Sequence, residues 1–193
     1  MHNYRGHRHR VTIEDKTFWV DSDMEEVFIR RLVKNGFSGK WRRSRFGLGV
    51  GFARYTPDLE LSILDTDGMN RHALVEFKPV SATQFKPWRR TAMLVVSRFY
   101  KDSICLLYVE KTKTWFQIEP HGKLHKYHVP TPGGLPVHEL SRPKFAIPIM
   151  NQYGKAYFVR PGNFVMKKTA DGLEFFVHAF FASPKYKRRR RKQ

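Results

Sequence analysis

The sequence is poor in cysteine, in long apolar runs and in acidic residues. Its 193 residues include one cysteine, Cys105, which excludes an internal disulfide and a thiolate metal cluster and suggests a reducing compartment. Cys105 lies among apolar residues and is predicted to be a small core residue. The longest apolar run, Ile104 to Val109, has six residues, whereas a membrane-spanning helix needs about 20. The first residues lack the apolar segment of a secretory signal, so we expect a cytoplasmic protein without a membrane partner.

The shortage of acids leaves a large excess of positive charge. There are 36 Lys and Arg residues against 17 Asp and Glu, a net charge of +19. Residues 1–10 hold three of the bases and residues 184–193 hold seven, with no acid in either segment, so the remainder still carries +9. A basic body as well as basic ends favours a polyanionic partner, most simply nucleic acid. An anionic membrane fits less well, because no basic amphipathic helix accompanies the charge.

Apolar patterning predicts a mixed α/β protein. At 41% hydrophobic residues the chain can build a core, and its length suits one domain. Helices are predicted over residues 20–36 and 85–101, and strands over 55–64, 72–79 and 104–110, which gives an α/β core over residues 17–110. Five short strands are predicted at 114–118, 124–129, 145–149, 156–159 and 173–181. They indicate a β-rich extension over residues 111–183 packed on the core, between a basic N-terminal arm (1–16) and a basic C-terminal tail (184–193).

Acidic and basic residues recur at the ends of two predicted strands. Asp58 begins one strand, and Glu76 and Lys78 lie two residues apart on the next, so they share a face of the sheet. The turn signal at residues 65–68 makes the two strands a hairpin that can bring Asp58 beside Glu76. Two carboxylates and a backbone carbonyl form a hard-oxygen site that suits Mg²⁺. A lysine beside such a site can orient or deprotonate a water, or stabilise developing negative charge.

Three segments together resemble the PD-(D/E)xK nuclease superfamily. They are SDME at residues 22–25 on the first helix, YTPD at 55–58 on one strand and LVEFKP at 74–79 on the next. The pattern looks most like TnsA-type transposon-end endonucleases, and small phage head-completion nucleases share a similar one. The resemblance covers about residues 20–110. Residues 111–193 depart from it, because they are predicted to be β structure where TnsA-type proteins have a helical partner-binding domain.

The resemblance implies a restriction-endonuclease-like nuclease core and a Mg²⁺-dependent DNA endonuclease, with Mn²⁺ able to substitute. It implies that Asp58 and Glu76 bind the metal, that Lys78 serves the attacking water and that Glu25 assists the metal or its water shell. The carbonyl of Phe77 would be a further ligand. Gln84, shortly after the motif lysine, is a candidate for a contact to backbone or water. The implied partners are DNA and proteins of a transposition or phage assembly complex, in a bacterial cell or a phage-infected host.

Two acid-free stretches flank these acids. Eight bases and no acid separate Glu26 from Asp58, and six bases and no acid separate Glu76 from Asp102. Such surroundings attract a polyanion, and binding is expected to weaken as salt rises. The residues predicted to contact phosphates are Lys40, Arg42, Arg43, Arg45, Arg54, Arg89, Arg90, Arg188, Arg189, Arg190 and Arg191. The aromatic residues of the first stretch, Trp41, Phe46 and Phe52, either stack on bases or pack in the core.

The acids and the lysine of the proposed site also have ordinary roles that need no metal. Glu25 stands three residues after Ser22 and fits a capping box. Asp58 fits a turn after proline, and Glu76 with Lys78 fits an exposed strand face of mixed charge. The arginine run near residue 190 is equally a solvated tail. The alternative function is therefore a non-catalytic DNA-binding or phage assembly protein that retains a nuclease-like fold.

Overall fold

The computed structural model describes residues 7–50, 53–101, 103–144, 146–150, 156–159, 164–169 and 172–177. The described part is a mixed α/β structure, as predicted, in which a seven-stranded sheet is accompanied by four two-stranded sheets. The strands are β1 (His9–Ile13), β2 (Lys16–Val20), β3 (Trp41–Arg43), β4 (Leu48–Val50), β5 (Ala53–Tyr55), β6 (Leu59–Leu64), β7 (Asn70–Lys78), β8 (Ser103–Val109), β9 (Thr114–Ile118), β10 (Leu124–Tyr127), β11 (Thr131–Pro132), β12 (Ile147–Met150), β13 (Ala156–Val159), β14 (Phe164–Thr169) and β15 (Gly172–Val177). The α-helices are α1 (Asp23–Leu32), α2 (Pro87–Ser97) and α3 (Val137–Leu140).

The central sheet has the strand order β10-β9-β8-β7-β6-β11, and β3 also pairs with β6. All its pairs are antiparallel except β7 with β8, which run parallel because α2 makes the crossover between them. Two apolar clusters lie on the two faces. One contains α1 residues such as Phe28 and Ile29, and the other contains α2 residues such as Met93 and Val96. The sheet is thus buried on both sides, which is why β8 is apolar almost throughout.

Helix α1 begins and ends where its sequence signals lie. Ser22 is the N-cap, and its hydroxyl accepts a hydrogen bond from the backbone N–H of Glu25 at 3.2 Å. The helix continues through one wider turn over Val33–Phe37. Gly36 ends it with a φ of 89°, a left-handed conformation that glycine adopts without steric cost.

The β6–β7 hairpin positions the predicted site. The turn predicted at residues 65–68 lies within the connection 65–69, and Leu64 pairs with Asn70. Leu59, Leu61 and Ile63 are buried, as their alternation predicts, but Glu60 and Ser62 on the opposite face are also fully buried. That second face is covered by residues distant in sequence, so local alternation does not reveal its burial.

The prediction of an N-terminal arm over residues 1–16 is wrong for residues 9–16. Strands β1 and β2 form an antiparallel hairpin in which His9 pairs with Val20. Val11 and Ile13 are buried in the core, and burial of these alternating apolar side chains stabilises the hairpin. The surrounding arginines and histidines made this segment resemble a basic arm in the sequence. Residues 1–6 lie outside the described residues.

The predicted boundary at residue 110, between the core and the β-rich extension, falls within the central sheet. Strand β9 pairs with β8 and β10 pairs with β9, so both extend the central sheet. The strand predicted at 156–159 matches β13, and those predicted at 145–149 and 173–181 correspond to β12 and β15 with shifted ends. Strand β14 was not predicted. The predicted basic tail, residues 184–193, lies outside the described part of the chain.

The second helix is shorter than predicted. It begins at Pro87 and ends at Ser97, and its buried residues are Ala92, Met93 and Val96. The prediction for Cys105 is confirmed: the thiol is buried, and burial raises its pKa to about 12.

Among the described residues, no helix is both long enough and apolar enough to span a bilayer.

Candidate active site

Asp58 and Glu76 meet at one end of the β6–β7 hairpin. Leu59 pairs with Val75, so Asp58, the residue just before β6, lies opposite Glu76 of β7. The Asp58 carboxylate accepts a hydrogen bond from the backbone N–H of Phe77 at 2.7 Å. Burial raises the pKa of Asp58 to about 7, and the neighbouring Glu76 carboxylate contributes to the rise. The two carboxylates therefore share a position where placing two negative charges is costly.

Lys78 completes this group, which we call the Asp58 site (Asp58, Glu76, Phe77 and Lys78). The Lys78 ammonium lies 2.6 Å from Glu76 Oε1 and 2.9 Å from the Phe77 carbonyl oxygen. A carboxylate oxygen and a backbone carbonyl oxygen thus point at one cationic group. These are two of the oxygens that the family resemblance assigns to a metal ion.

Tyr55 is a member of the site that sequence reasoning missed. Its hydroxyl donates a hydrogen bond of 2.9 Å to Glu76 Oε2, on the other side of the carboxylate from Lys78. The tyrosine is buried, and that burial, with the nearby Glu76 and Asp58 charges, raises its pKa well above the usual range. Tyr55 therefore remains a neutral donor that fixes Glu76. Its place three residues before Asp58, in the YTPD segment, was the signal available.

Glu25 approaches the site from the N-terminus of α1. One carboxylate oxygen binds the Arg43 guanidinium, and the other accepts a hydrogen bond of 2.8 Å from the backbone N–H of Asp21. Burial raises the pKa of Glu25, the Arg43 charge opposes the rise, and the Asp58 charge adds to it. The Glu25 side chain thus caps the start of α1 by accepting from the N–H of Asp21 rather than that of Ser22. It also lies close enough to Asp58 for the two charges to interact.

The donor set suits a hard divalent cation. Among the described residues, no group of three or more His, Cys, Asp or Glu side chains is arranged to hold a metal ion. The Asp58 site instead offers two carboxylates and the Phe77 carbonyl, all of them oxygen donors of the kind that Mg²⁺ binds through one or two carboxylates and waters. Glu76 Oε1 and the Phe77 carbonyl oxygen both contact the Lys78 ammonium, which occupies the position that they share. In their donor chemistry the residues present suit a magnesium ion.

Three of the predicted phosphate-binding arginines already have partners inside the protein. Arg42 binds the buried Glu60 carboxylate at 2.7 Å, and Arg43 binds Glu25. Arg90 donates hydrogen bonds to the carbonyls of three residues, Phe85, Ala82 and Gly122. The role of Arg90 is therefore to tie α2 to its neighbouring turns, because its donors are directed at the backbone.

The other predicted contacts are distributed over the surface. Lys40 donates to the Gly134 carbonyl at 2.8 Å, whereas Arg45 and Arg89 are exposed. Gln84 accepts from the backbone N–H groups of Val80 and Ser81 at 3.1 and 3.3 Å, so it closes its own turn. The side chain of Arg54 and the run from Arg188 to Arg191 lie outside what the structure describes.

The aromatic residues of the first basic stretch belong mainly to the core. Trp41 is 1% exposed, and Phe46 packs against Phe99 and Tyr100 with ring centroids 5.3 and 5.6 Å away. Phe52 lies outside the described residues. For Trp41 and Phe46 the packing interpretation is therefore correct.

A second polar group, which no local sequence pattern indicates, lies further along the same hairpin. This Glu60 cluster consists of Glu60, Arg42, His72 and Tyr100. His72 Nε2 lies 3.1 Å from Glu60 Oε2, and the Tyr100 hydroxyl lies 3.3 Å from Glu60 Oε1. Burial works to raise the pKa of Glu60, but the His72 hydrogen bond and the Arg42 charge outweigh it, so the pKa is lowered. Glu60 is thus a buried carboxylate held in its charged form by donors.

Comparison of the chain with family models, curated proteins and solved structures gave no significant match. Residue chemistry and geometry at the Asp58 site are therefore the basis for assigning a function.

Proposed function

We propose that this protein is a metal-dependent DNA endonuclease built on a restriction-endonuclease-like core. The observation that carries the proposal is the grouping of Asp58, Glu76, the Phe77 carbonyl and Lys78 at the end of one hairpin. Two adjacent carboxylates cost free energy unless a cation compensates them, and the protein supplies one lysine ammonium at this position. A site of this composition is better suited to binding a cation and a phosphate than to stabilising the fold.

Each residue of the site has a defined task in phosphodiester hydrolysis. Asp58, Glu76 and the Phe77 carbonyl would hold Mg²⁺ or, in its place, Mn²⁺. When bound, such an ion neutralises phosphate charge and lowers the pKa of a water. Lys78 is placed to orient the attacking water or to stabilise the negative charge that develops on the phosphate. Tyr55 holds the Glu76 carboxylate in place.

Glu25 supports the site from α1. Its carboxylate is buried and interacts electrostatically with Asp58. Arg43, which binds Glu25, lies where a DNA phosphate could compete for its guanidinium. Glu25 would assist through the water shell of the metal, as the resemblance implies, while its two oxygens bind the Arg43 guanidinium and the Asp21 N–H.

DNA is the substrate that the charge favours. The net charge of +19 and the acid-free stretches on either side of Asp58 and Glu76 attract a polyanion to the site. The resemblance to TnsA-type and phage head-completion nucleases extends the proposal to a transposition or phage assembly complex. Its location would then be the bacterial cytoplasm or a phage-infected host.

A second candidate is a non-catalytic DNA-binding or assembly protein with the same fold. It is favoured by the ion pairs of the site: Glu76 is satisfied by Lys78 and Tyr55, and Glu25 by Arg43 and Asp21. Such pairing also serves a purely structural role. This candidate requires salt-sensitive DNA binding with no metal requirement and no cleavage products.

Plasmid nicking separates the two candidates. Wild type is incubated with supercoiled DNA and Mg²⁺, Mn²⁺ or EDTA, beside Lys78→Ala and the matched control Lys111→Ala, which removes an exposed lysine. We expect Lys78→Ala to lose most cleavage while DNA binding, measured by fluorescence anisotropy, is retained. Cleavage that survives EDTA, or equal rates for wild type and Lys78→Ala, would refute the proposal. Binding without cleavage by any protein, wild type included, would support the second candidate.

A further inference from the structure

A cavity of about 340 Å³ lies between the N-terminal hairpin and the basic strand β3. Lys16, Thr17 and Phe18 of β2 line one side of it. Trp41, Arg43 and Arg45 line the other. Lys16 belongs to the segment that was predicted to be an arm, and the cavity exists only because β1 and β2 fold onto the core.

Arg43 connects this cavity to the Asp58 site. Its guanidinium both lines the cavity and binds Glu25. On the backbone, Arg43 pairs with Leu59, and the N–H of Ser44 lies 3.4 Å from the Asp58 carbonyl oxygen. A strand whose scissile phosphate lies at Asp58 would therefore have its neighbouring nucleotide close to the cavity.

The lining has the chemistry of a nucleotide site. It includes four cationic side chains and no carboxylate, although Arg42 and Arg43 are paired with Glu60 and Glu25. The Lys16 ammonium lies 5.2 Å from the centre of the Trp41 ring and 3.9 Å from a Glu14 oxygen. Trp41 is almost wholly buried, whereas Phe18, whose ring packs edge-on against Trp41, is half-buried. Cations for a phosphate and an aromatic ring for a base are the elements with which proteins bind single strands.

The size of the cavity favours one nucleotide over a duplex. Small-molecule pockets range over roughly 300–1,000 Å³, and about 340 Å³ is near the lower limit. A base must leave the helical stack to enter a cavity of this kind, which costs little where the base is already unpaired.

We propose that the cavity binds one unpaired nucleotide next to the scissile phosphate, so that the preferred substrate is DNA with a single-stranded end or branch. This inference rests on the proposed nuclease function, because it names the substrate class of the same site. Lys16 contacts the phosphate of the unpaired nucleotide, and Phe18 contacts its base.

Anisotropy with the full chain in EDTA tests the inference apart from catalysis. The probes are a blunt duplex and the same duplex with a five-nucleotide single-stranded overhang. We expect wild type to bind the overhang probe more tightly, and Lys16→Ala and Phe18→Leu each to weaken that binding about 5-fold or more. Binding to the blunt duplex should change little. Lys126→Ala is the matched control, since it removes an exposed lysine from β10 at the opposite edge of the sheet.

Two results would overturn the inference. One is overhang binding by Lys16→Ala and Phe18→Leu that equals that of Lys126→Ala. The other is an equal loss on the blunt and overhang probes, which would make the cavity a general phosphate contact. Thermal unfolding of Phe18→Leu identifies any loss caused by misfolding, and exposed Thr17→Ala then serves as the second cavity variant. The binding test contains no divalent metal, so its result does not depend on whether the protein cleaves plasmid DNA.

Discussion

The Asp58 site and the Glu60 cluster lie side by side on one hairpin but treat their carboxylates in opposite ways. At the Asp58 site two carboxylates stand together, and the pKa of Asp58 is raised to about 7. In the Glu60 cluster a single carboxylate meets a guanidinium, an imidazole and a phenol, and its pKa is lowered. Asp58 and Glu60 are two residues apart and share a face, so the difference comes from their neighbours.

This contrast separates a reactive arrangement from a stabilising one. A single buried carboxylate surrounded by donors, such as Glu60, contributes to folding. A carboxylate beside another carboxylate costs free energy in the folded protein, and such strained pairs are typical of functional sites. Mutations at the Asp58 site should therefore reduce activity with little loss of stability, and mutations in the Glu60 cluster should reduce stability with little loss of activity.

The largest effect is expected for Asp58→Asn. Cleavage should fall about 100-fold to 1,000-fold, the loss typical when one electrostatic element of a transition state is removed. The melting temperature should be unchanged or higher, because the repulsion from Glu76 disappears while the amide oxygen still accepts from the Phe77 N–H. Initial nicking rates and calorimetry check both parts. A large fall in melting temperature would place Asp58 among the stabilising residues instead.

Glu60→Ala should show the reverse pattern. It leaves the Arg42 and His72 donors without their acceptor, one of them fully buried, and should lower the free energy of unfolding by about 3 kcal/mol. Urea unfolding measures this loss, and Glu139→Ala, on an exposed position of α3, is the matched control. Cleavage per folded molecule should be nearly unaffected. A loss no greater than that of the control would mean that the cluster stabilises nothing.

The acid dependence of stability should distinguish the cluster further. The pKa of Glu60 is lower in the folded protein than in the unfolded chain. Its contribution is therefore complete above the unfolded pKa, about 4.5, and is lost as pH falls through the lower folded value. We expect Glu60→Gln to flatten this part of the urea-midpoint profile between about pH 5 and 3. An identical slope for wild type and Glu60→Gln would contradict the assignment.

The smallest effect is expected where the Asp58 site meets helix α1. Ser22→Ala removes the hydroxyl that accepts from the Glu25 N–H and should cost about 1 kcal/mol of stability. Because the cap also orients Glu25, cleavage should fall slightly more than stability alone explains. Ser97→Ala, near the end of α2, provides a comparison whose hydroxyl bonds within its own helix. Equal cleavage by the two variants would mean that α1 does not position Glu25.

The Asp58 site was predictable because its elements are local. A turn at 65–68 fixes the register that brings Asp58 to Glu76, and strand periodicity places Lys78 beside Glu76. The capped helix start at Ser22 sets Glu25. The resulting α/β class was also predictable from the order of helices and strands.

The Glu60 cluster was not predictable because its members are scattered. Arg42, His72 and Tyr100 lie 18, 12 and 40 residues from Glu60, and no local pattern links them. The N-terminal hairpin was missed for a related reason. Val11 and Ile13 alternate as a strand should, but their burial depends on a core formed by residues far along the chain.

Divalent metal binding by calorimetry tests the central claim most directly. Mn²⁺ is titrated into wild type, Asp58→Asn, Glu76→Gln and the control Glu60→Gln near pH 8, where Asp58, with a pKa of about 7, is ionised. We expect binding by wild type and Glu60→Gln, and affinity at least about 10-fold weaker in the two site variants. Equal binding by all four proteins, or no binding by wild type with a DNA duplex present, would contradict the account.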